Sequence, residues 1–126
     1  MVGKVLVVED NELNLKLFCD LLEVHGHDTR AVRDGRDALA AAREFAPDMI
    51  VMDIQLPHVS GLEIIAAMQA EPALARIPIM AVTAYATPQD EERVRAAGAA
   101  AYVSKPISVM RFIDAIEALA AGSPPA

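Results

Sequence analysis

Five polar residues stand out by type and by place: Glu9, Asp10, Asp53, Thr83 and Lys105. Each comes at or just after the end of a short apolar run. Glu9 and Asp10 follow Val5-Leu6-Val7-Val8, and Asp53 follows Met49-Ile50-Val51-Met52. Thr83 follows Ile79-Met80-Ala81-Val82, and Lys105 comes two residues after Val103. If these runs are strands lying side by side, three carboxylates meet in one pocket. Two like charges ~4 Å apart repel by about 4 kcal/mol at an effective dielectric of about 20. A proton could offset that, Lys105 could do so in part, and a divalent cation does it best. An all-oxygen donor set with room for water and phosphate suits Mg²⁺. Positive charge there would also neutralise an incoming phosphoryl group. The Asp53 carboxylate, normally a poor nucleophile, could then attack phosphorus in line.

Taken singly, each residue has an ordinary reading. Glu9-Asp10 could end a strand and cap the next helix, where acids are favoured. Asp53 could be a loop acid, Thr83 a strand-end hydroxyl and Lys105 a solvated loop cation. Groups of the required types at four separate strand ends are what turn these readings into a site.

The elements that must position them are legible in the periodicity. Residues 4–8 and 49–52 are apolar without alternation, as in strands buried on both faces. A weak strand is expected over 28–32, and further strands over 77–82 and 100–103. Pro78 falls near the start of its strand, where a missing donor is least costly. Apolar residues at helical spacing predict helices over 12–24, 37–45, 62–70, 89–97 and 109–121. Gly26 closes the first of them, and the fourth is opened by Pro88 and closed by Gly98. Residues 57–61 read as a loop and 122–126 as a frayed tail. Five βα units imply a parallel sheet with helices on both faces. A flavodoxin-like strand order 2-1-3-4-5 sets the first and third strands side by side, with the functional crevice at their carboxyl ends.

Composition bounds the rest. The 126 residues make one domain. A net charge of −7 argues against non-specific nucleic-acid binding and against docking on anionic lipid. Cys19 is the single cysteine, so no internal disulfide forms, as in a reducing compartment. No signal-like or membrane-spanning segment is read in the chain, and a cytoplasmic protein is expected. His25, His27 and His58 lack metal-ligand spacing and are expected at the surface, with Cys19 in a helix core.

Glu9-Asp10, Asp53, Thr83-Ala84, Lys105-Pro106 and the Pro-x-x-x-Gly segment from Pro57 to Gly61, at these strand ends, resemble the receiver domain of bacterial two-component response regulators. The resemblance covers roughly residues 3–121. Within the family, the segments 8–14, 52–57 and 104–108 look close to a single-domain regulator of cell division. The resemblance implies that Asp53 accepts a phosphoryl group from a histidine kinase or a histidine phosphotransfer protein. It implies that Glu9, Asp10 and Asp53 hold Mg²⁺ with the Gln55 backbone carbonyl. Thr83 would bond a phosphate oxygen, and Lys105, before a cis Pro106, would pair with the phosphate. Tyr102 would be the switch aromatic, and Gln55 and Tyr85 would tune phosphate lifetime. The face of the fourth helix, fifth strand and fifth helix would change state on phosphorylation.

The domain expected is a receiver over 1–121 with a tail at 122–126 and no output domain. Signalling would then pass through protein–protein contact, to a target that could itself be a kinase. Slow self-dephosphorylation would not make the protein an enzyme in the usual sense. Two surfaces are candidates for contact: outward apolar residues of the first helix, drawn from Leu13, Leu15, Leu17, Phe18, Leu21, Leu22 and Val24, and a patch around Tyr85, Tyr102, Val109 and Phe112. Other readings are a receiver-like module that is never phosphorylated, and a relay intermediate passing phosphate to a histidine. A phosphatase of the haloacid-dehalogenase type would need an acid where Gln55 stands. A flavodoxin would need a hydroxyl- and glycine-rich loop where Glu9-Asp10-Asn11 stands.

Overall fold

A computed structural model describes residues 3–84 and 87–120. The elements in chain order are β1 (Lys4–Val8), α1 (Glu12–Val24), β2 (Asp28–Val32), α2 (Ala38–Phe45), β3 (Met49–Asp53), α3 (Gly61–Gln69), β4 (Ile79–Thr83), α4 (Pro88–Ala97), β5 (Ala101–Ser104) and α5 (Val109–Ala120). The strands form one parallel sheet in the order β2-β1-β3-β4-β5. This is the flavodoxin-like arrangement that the alternation of periods predicts.

The sheet divides the core into two apolar layers because side chains alternate along each strand. Leu6, Val8, Ile50, Met52, Ile79 and Ala81 face α2, α3 and α4. Val5, Val7, Met49, Val51, Met80 and Val82 face α1 and α5. Both faces of β1, β3 and β4 are therefore covered, which is why these strands read as continuous apolar runs. On the second face Phe18 of α1 stacks on Phe112 of α5, with ring centroids 5.0 Å apart.

Local boundaries depart from the periodicity where side chains intervene. A 3₁₀ turn, Gly35–Asp37, precedes α2, which starts at Ala38 rather than at residue 37. Asp34 Oδ1 accepts from the Arg36 N–H at 2.9 Å and diverts that turn. The Arg36 guanidinium also clasps the Asp34 carboxylate, holding its pKa down at about 2. β4 begins at Ile79 because Pro78 has no N–H to give the ladder, although its carbonyl accepts from Ile50 N at 3.0 Å.

Two surface expectations are corrected. Phe112 is fully buried against Phe18, so it cannot belong to an exposed contact patch. It shares the inward stripe of α5 with Ile113, Ile116 and Leu119. His27 is also buried, at 5 % exposure. After Gly26, whose φ is 89°, the His27 N–H donates to Leu22 O at 3.0 Å and turns the chain inward. His25 and His58 are exposed as expected, and Cys19 is half-buried at the margin of the α1–α5 layer. On α1, Leu15, Phe18 and Leu22 point inward, while Leu13, Leu17 and Val24 are exposed.

Candidate functional site

The sheet register builds the site. Val8 pairs with Met52, so Glu9 lies level with Asp53 one step beyond the ladder. Asp53 pairs with Val82, and Thr83 pairs with Ser104, which sets Lys105 just past the end of β5. The Lys105 N–H donates to Thr83 O at 2.7 Å and ties the ends of β4 and β5 together. The acids are not consumed as helix caps. Asn11 caps α1, its Oδ1 accepting from Asn14 N at 3.0 Å. That leaves Glu9 and Asp10 for the crevice.

Glu9, Asp10 and Asp53 each present a carboxylate oxygen within 4.8 Å of the others. Glu9 and Asp53 are 1 % exposed, whereas Asp10 opens to solvent. The Lys105 ammonium stands 3.2 Å from Glu9 Oε1 and donates to Asp53 Oδ2 at 3.3 Å. The other oxygen, Asp53 Oδ1, accepts from the Gln55 N–H at 3.1 Å. Thr83 is 1 % exposed at the end of β4. The Lys105-Pro106 bond is cis, as the motif led us to expect. Tyr102 is half-buried against the layer of α2, α3 and α4. Its phenol is pushed above its ordinary pKa by burial and by Asp90 and Glu91. Tyr85 lies outside the described residues.

Charge in this pocket is under-compensated. Burial first, and then the neighbouring Asp53 carboxylate, push the Glu9 carboxyl above its ordinary pKa; Asn11 N–H and Lys105 offset this in part. Burial pulls Lys105 down, but Asp53 and Glu9 outweigh it and hold the ammonium above its ordinary value. Glu9 Oε1 is buried and, despite its nearness to Lys105, makes no hydrogen bond of good geometry. An all-carboxylate donor set around one underused buried oxygen fits a hard divalent cation such as Mg²⁺.

The raised pKa of Glu9 carries a sign. Stability from an acid of raised folded pKa is present below its unfolded value, about 4.3, and is lost as pH rises through the folded value. Without divalent cations, Glu9→Gln is therefore expected to be more stable than the parent at pH 7, with the gap closing on acidification. Thermal unfolding at pH 7 and pH 4 checks this; a variant less stable at pH 7 would show that the Lys105 attraction outweighs burial.

Two residues that the sequence marks make contacts at the site that only the fold shows. The Gln55 side chain crosses to β4, where its Nε2 donates to Thr83 Oγ1 at 2.7 Å and its Oε1 accepts from Ala84 N at 2.8 Å. Gly61, the first residue of α3, rests on the backbone of Asp53 and Ile54, its N–H donating to Ile54 O at 3.0 Å. A Cβ there would stand 2.3 Å from Asp53 O. The Pro-x-x-x-Gly motif marks that glycine, but only the fold reveals what it touches.

Among the described residues no helix is long and apolar enough to cross a membrane. The profile of the response regulator receiver domain matches residues 5–117. The chain is 55% identical over 117 residues to the polar-differentiation response regulator DivK of Brucella ovis, covering 93% of this chain and 95% of that one. DivK of Brucella abortus matches to the same extent. Among solved structures, the chemotaxis response regulator CheY4 of Vibrio cholerae superposes with a TM-score of 0.87 at 26% identity, covering 93% of this chain and 98% of that one. A LuxR-family two-component response regulator from Aurantimonas sp. SI85-9A1 gives 0.90 at 26% identity, covering 98% and 89%. With its acidic pocket at the carboxyl edge of a 2-1-3-4-5 sheet, a family match over most of its length and relatives 55% identical to it, the chain belongs to the response regulator receiver domain family.

Proposed function

We propose that Asp53 is the phosphoacceptor of a receiver that signals by phosphorylation-dependent binding to another protein. The observation carrying this is the placing of Asp53 among Glu9, Asp10 and Lys105, with one oxygen on Lys105 Nζ and the other on Gln55 N–H. One Asp53 oxygen bonds to phosphorus as the phosphorus–nitrogen bond of a donor phosphohistidine breaks, its electron pair staying on the imidazole. Water later attacks phosphorus, returning the carboxylate and inorganic phosphate. Glu9, Asp10, Asp53 and the Gln55 carbonyl would hold Mg²⁺, which when bound supplies positive charge beside the phosphoryl oxygens. Lys105 pairs with the phosphate, and Thr83 donates its hydroxyl to a phosphate oxygen. Tyr102 then turns inward. Gln55 and Tyr85 govern how fast water reaches the acyl phosphate.

The donor is a histidine kinase or a histidine phosphotransfer protein. Leu13 and Leu17 on α1, with Val109 and Met110 at the start of α5, offer it an exposed apolar surface on helices that begin at the site's edge of the sheet. The output is binding rather than turnover, from a receiver domain over 1–121 acting in the bacterial cytoplasm. Likeness to the DivK regulators over most of either chain supports a place in cell-division or polarity control, with a kinase as a possible target.

Intact-protein mass after incubation with acetyl phosphate tests the chemistry. One phosphoryl adduct is expected with Mg²⁺, and none without it or in Asp53→Asn. No adduct under any condition would overturn the proposal in favour of a constitutive binding module.

A further inference from the structure

We propose that the Gln55 carboxamide is a latch on the end of β4, occupying in the unmodified protein the Ala84 N–H that a phosphoryl group on Asp53 would recruit and holding Thr83 through its hydroxyl oxygen. The inference rests on Asp53 being the acceptor. Gln55 spans the site in two ways. Its backbone N–H holds Asp53 Oδ1, while its side chain reaches across to β4 and binds both Thr83 Oγ1 and Ala84 N. The orientation of the amide follows from chemistry. Ala84 N–H can only donate, so the amide oxygen must face it, and the amide nitrogen is left for Thr83. One planar group thereby pins two consecutive residues at the point where β4 ends.

Phosphorylation places charged acceptor oxygens two residues from Gln55. Hydrogen bonds to an ionised oxygen are roughly twice as strong as those to a neutral amide. The phosphoryl group therefore outcompetes the Gln55 oxygen for Ala84 N–H; the Thr83 hydroxyl accepts from Nε2, so it is held in place by the amide and is freed to move toward the phosphate only when the amide leaves. The displaced amide has somewhere to go. A cleft of about 240 Å³ adjoins it, lined by Ser60, Leu62, Asp90 and Arg93 among others, with polar groups able to receive a carboxamide. Gln55 is thus a positioning residue: it sets how readily Thr83 and Ala84 engage the phosphate and does no bond-making itself.

The test uses the whole chain and beryllofluoride, which mimics the phosphoryl group without covalent turnover. Gln55→Leu keeps the side chain's size and removes both hydrogen bonds. Gln55→Asn keeps the amide but is one methylene too short to hold both partners. In both variants the Ala84 amide resonance of the unmodified protein is expected to move, reporting loss of its acceptor. The beryllofluoride concentration for half-saturation with Mg²⁺ is expected to fall about fivefold, the effect of losing one neutral hydrogen bond, that to Ala84 N–H, from the competing state. An unmoved Ala84 resonance, or half-saturation equal to or above the parent's, would overturn the latch. If the parent itself takes no beryllofluoride, the reading of Asp53 fails; the Ala84 resonance still decides whether the latch contact exists.

Discussion

Replacing Gly61 by alanine is expected to destabilise the protein by about 3 kcal/mol, the upper part of the usual cost of overpacking. The added Cβ would meet Asp53 O at 2.3 Å, Ile54 Cα at 2.7 Å and Asp53 C at 3.0 Å. All three are backbone atoms, so no rotamer change relieves the contact. Either the start of α3 lifts, with loss of the Ser60 Oγ cap on Leu62 N, or the chain after β3 is pushed back. Both responses move the segment from Asp53 to Gln55. A displacement on the order of 1 Å can cost about a hundredfold in a reaction that depends on alignment. Acetyl phosphate labelling is therefore expected to slow by at least about tenfold, with a fall in thermal midpoint of roughly 10 °C. Gly35→Ala is the comparison. Its Cβ would meet only side-chain tips of Ile64, Val59 and Leu56 at 2.9–3.0 Å, which can yield. Equal losses in the two variants would show that the backbone contact at Asp53 is not what makes Gly61 necessary.

Replacing Lys105 by methionine is expected to cost about 3 kcal/mol without divalent cations, and much less with millimolar Mg²⁺. Glu9 and Asp53 are both 1 % exposed, and the Lys105 ammonium is the cation within 4 Å of each among the described residues. Removing it leaves two buried carboxylates facing one another. The estimate sits at the low end for a broken buried ion pair because Lys105 keeps 21 % of its side chain in solvent. Thermal unfolding of both proteins, with and without Mg²⁺, reads the effect. The variant should gain more from the cation than the parent does, because its pocket has no internal countercharge. An unchanged midpoint without Mg²⁺, or an equal gain in both proteins, would mean that solvent already screens the pair. In the parent, the stability that Lys105 contributes is present below its unfolded pKa, about 10.4, and is lost only as pH rises through its raised folded value. Its contribution is therefore constant across the physiological range.

Much of the fold was legible because its strands are covered on both faces. A strand such as Met49–Asp53, with every residue buried, cannot tolerate a polar residue before its end, so its run of four apolar residues marks it and Asp53 marks its exit. The same reasoning located Glu9, Thr83 and Lys105. It worked less well where only one side of an element is covered. Phe112 was expected on a contact surface, yet it turns inward to Phe18 because α5 packs on the sheet through the stripe that contains it. His27 was expected in solvent, yet a backbone hydrogen bond to Leu22 O draws it in.

Sequence alone determined the alternation of strands and helices, the polar residues at the strand ends and, through their types, the chemistry open to them. These follow from local rules: the period of burial, the stops that glycine and proline impose, and the donor character of each side chain. The tertiary structure decided what those groups do to one another. Strand pairing brought Glu9 level with Asp53, and the pairing of β4 with β5 set Lys105 between them. The reach of Gln55 to Thr83 and Ala84, and the seat of Gly61 on the Asp53 backbone, join segments 28 and 8 residues apart. No local rule specifies such contacts, because they depend on where packing of the two apolar layers brings each loop to rest.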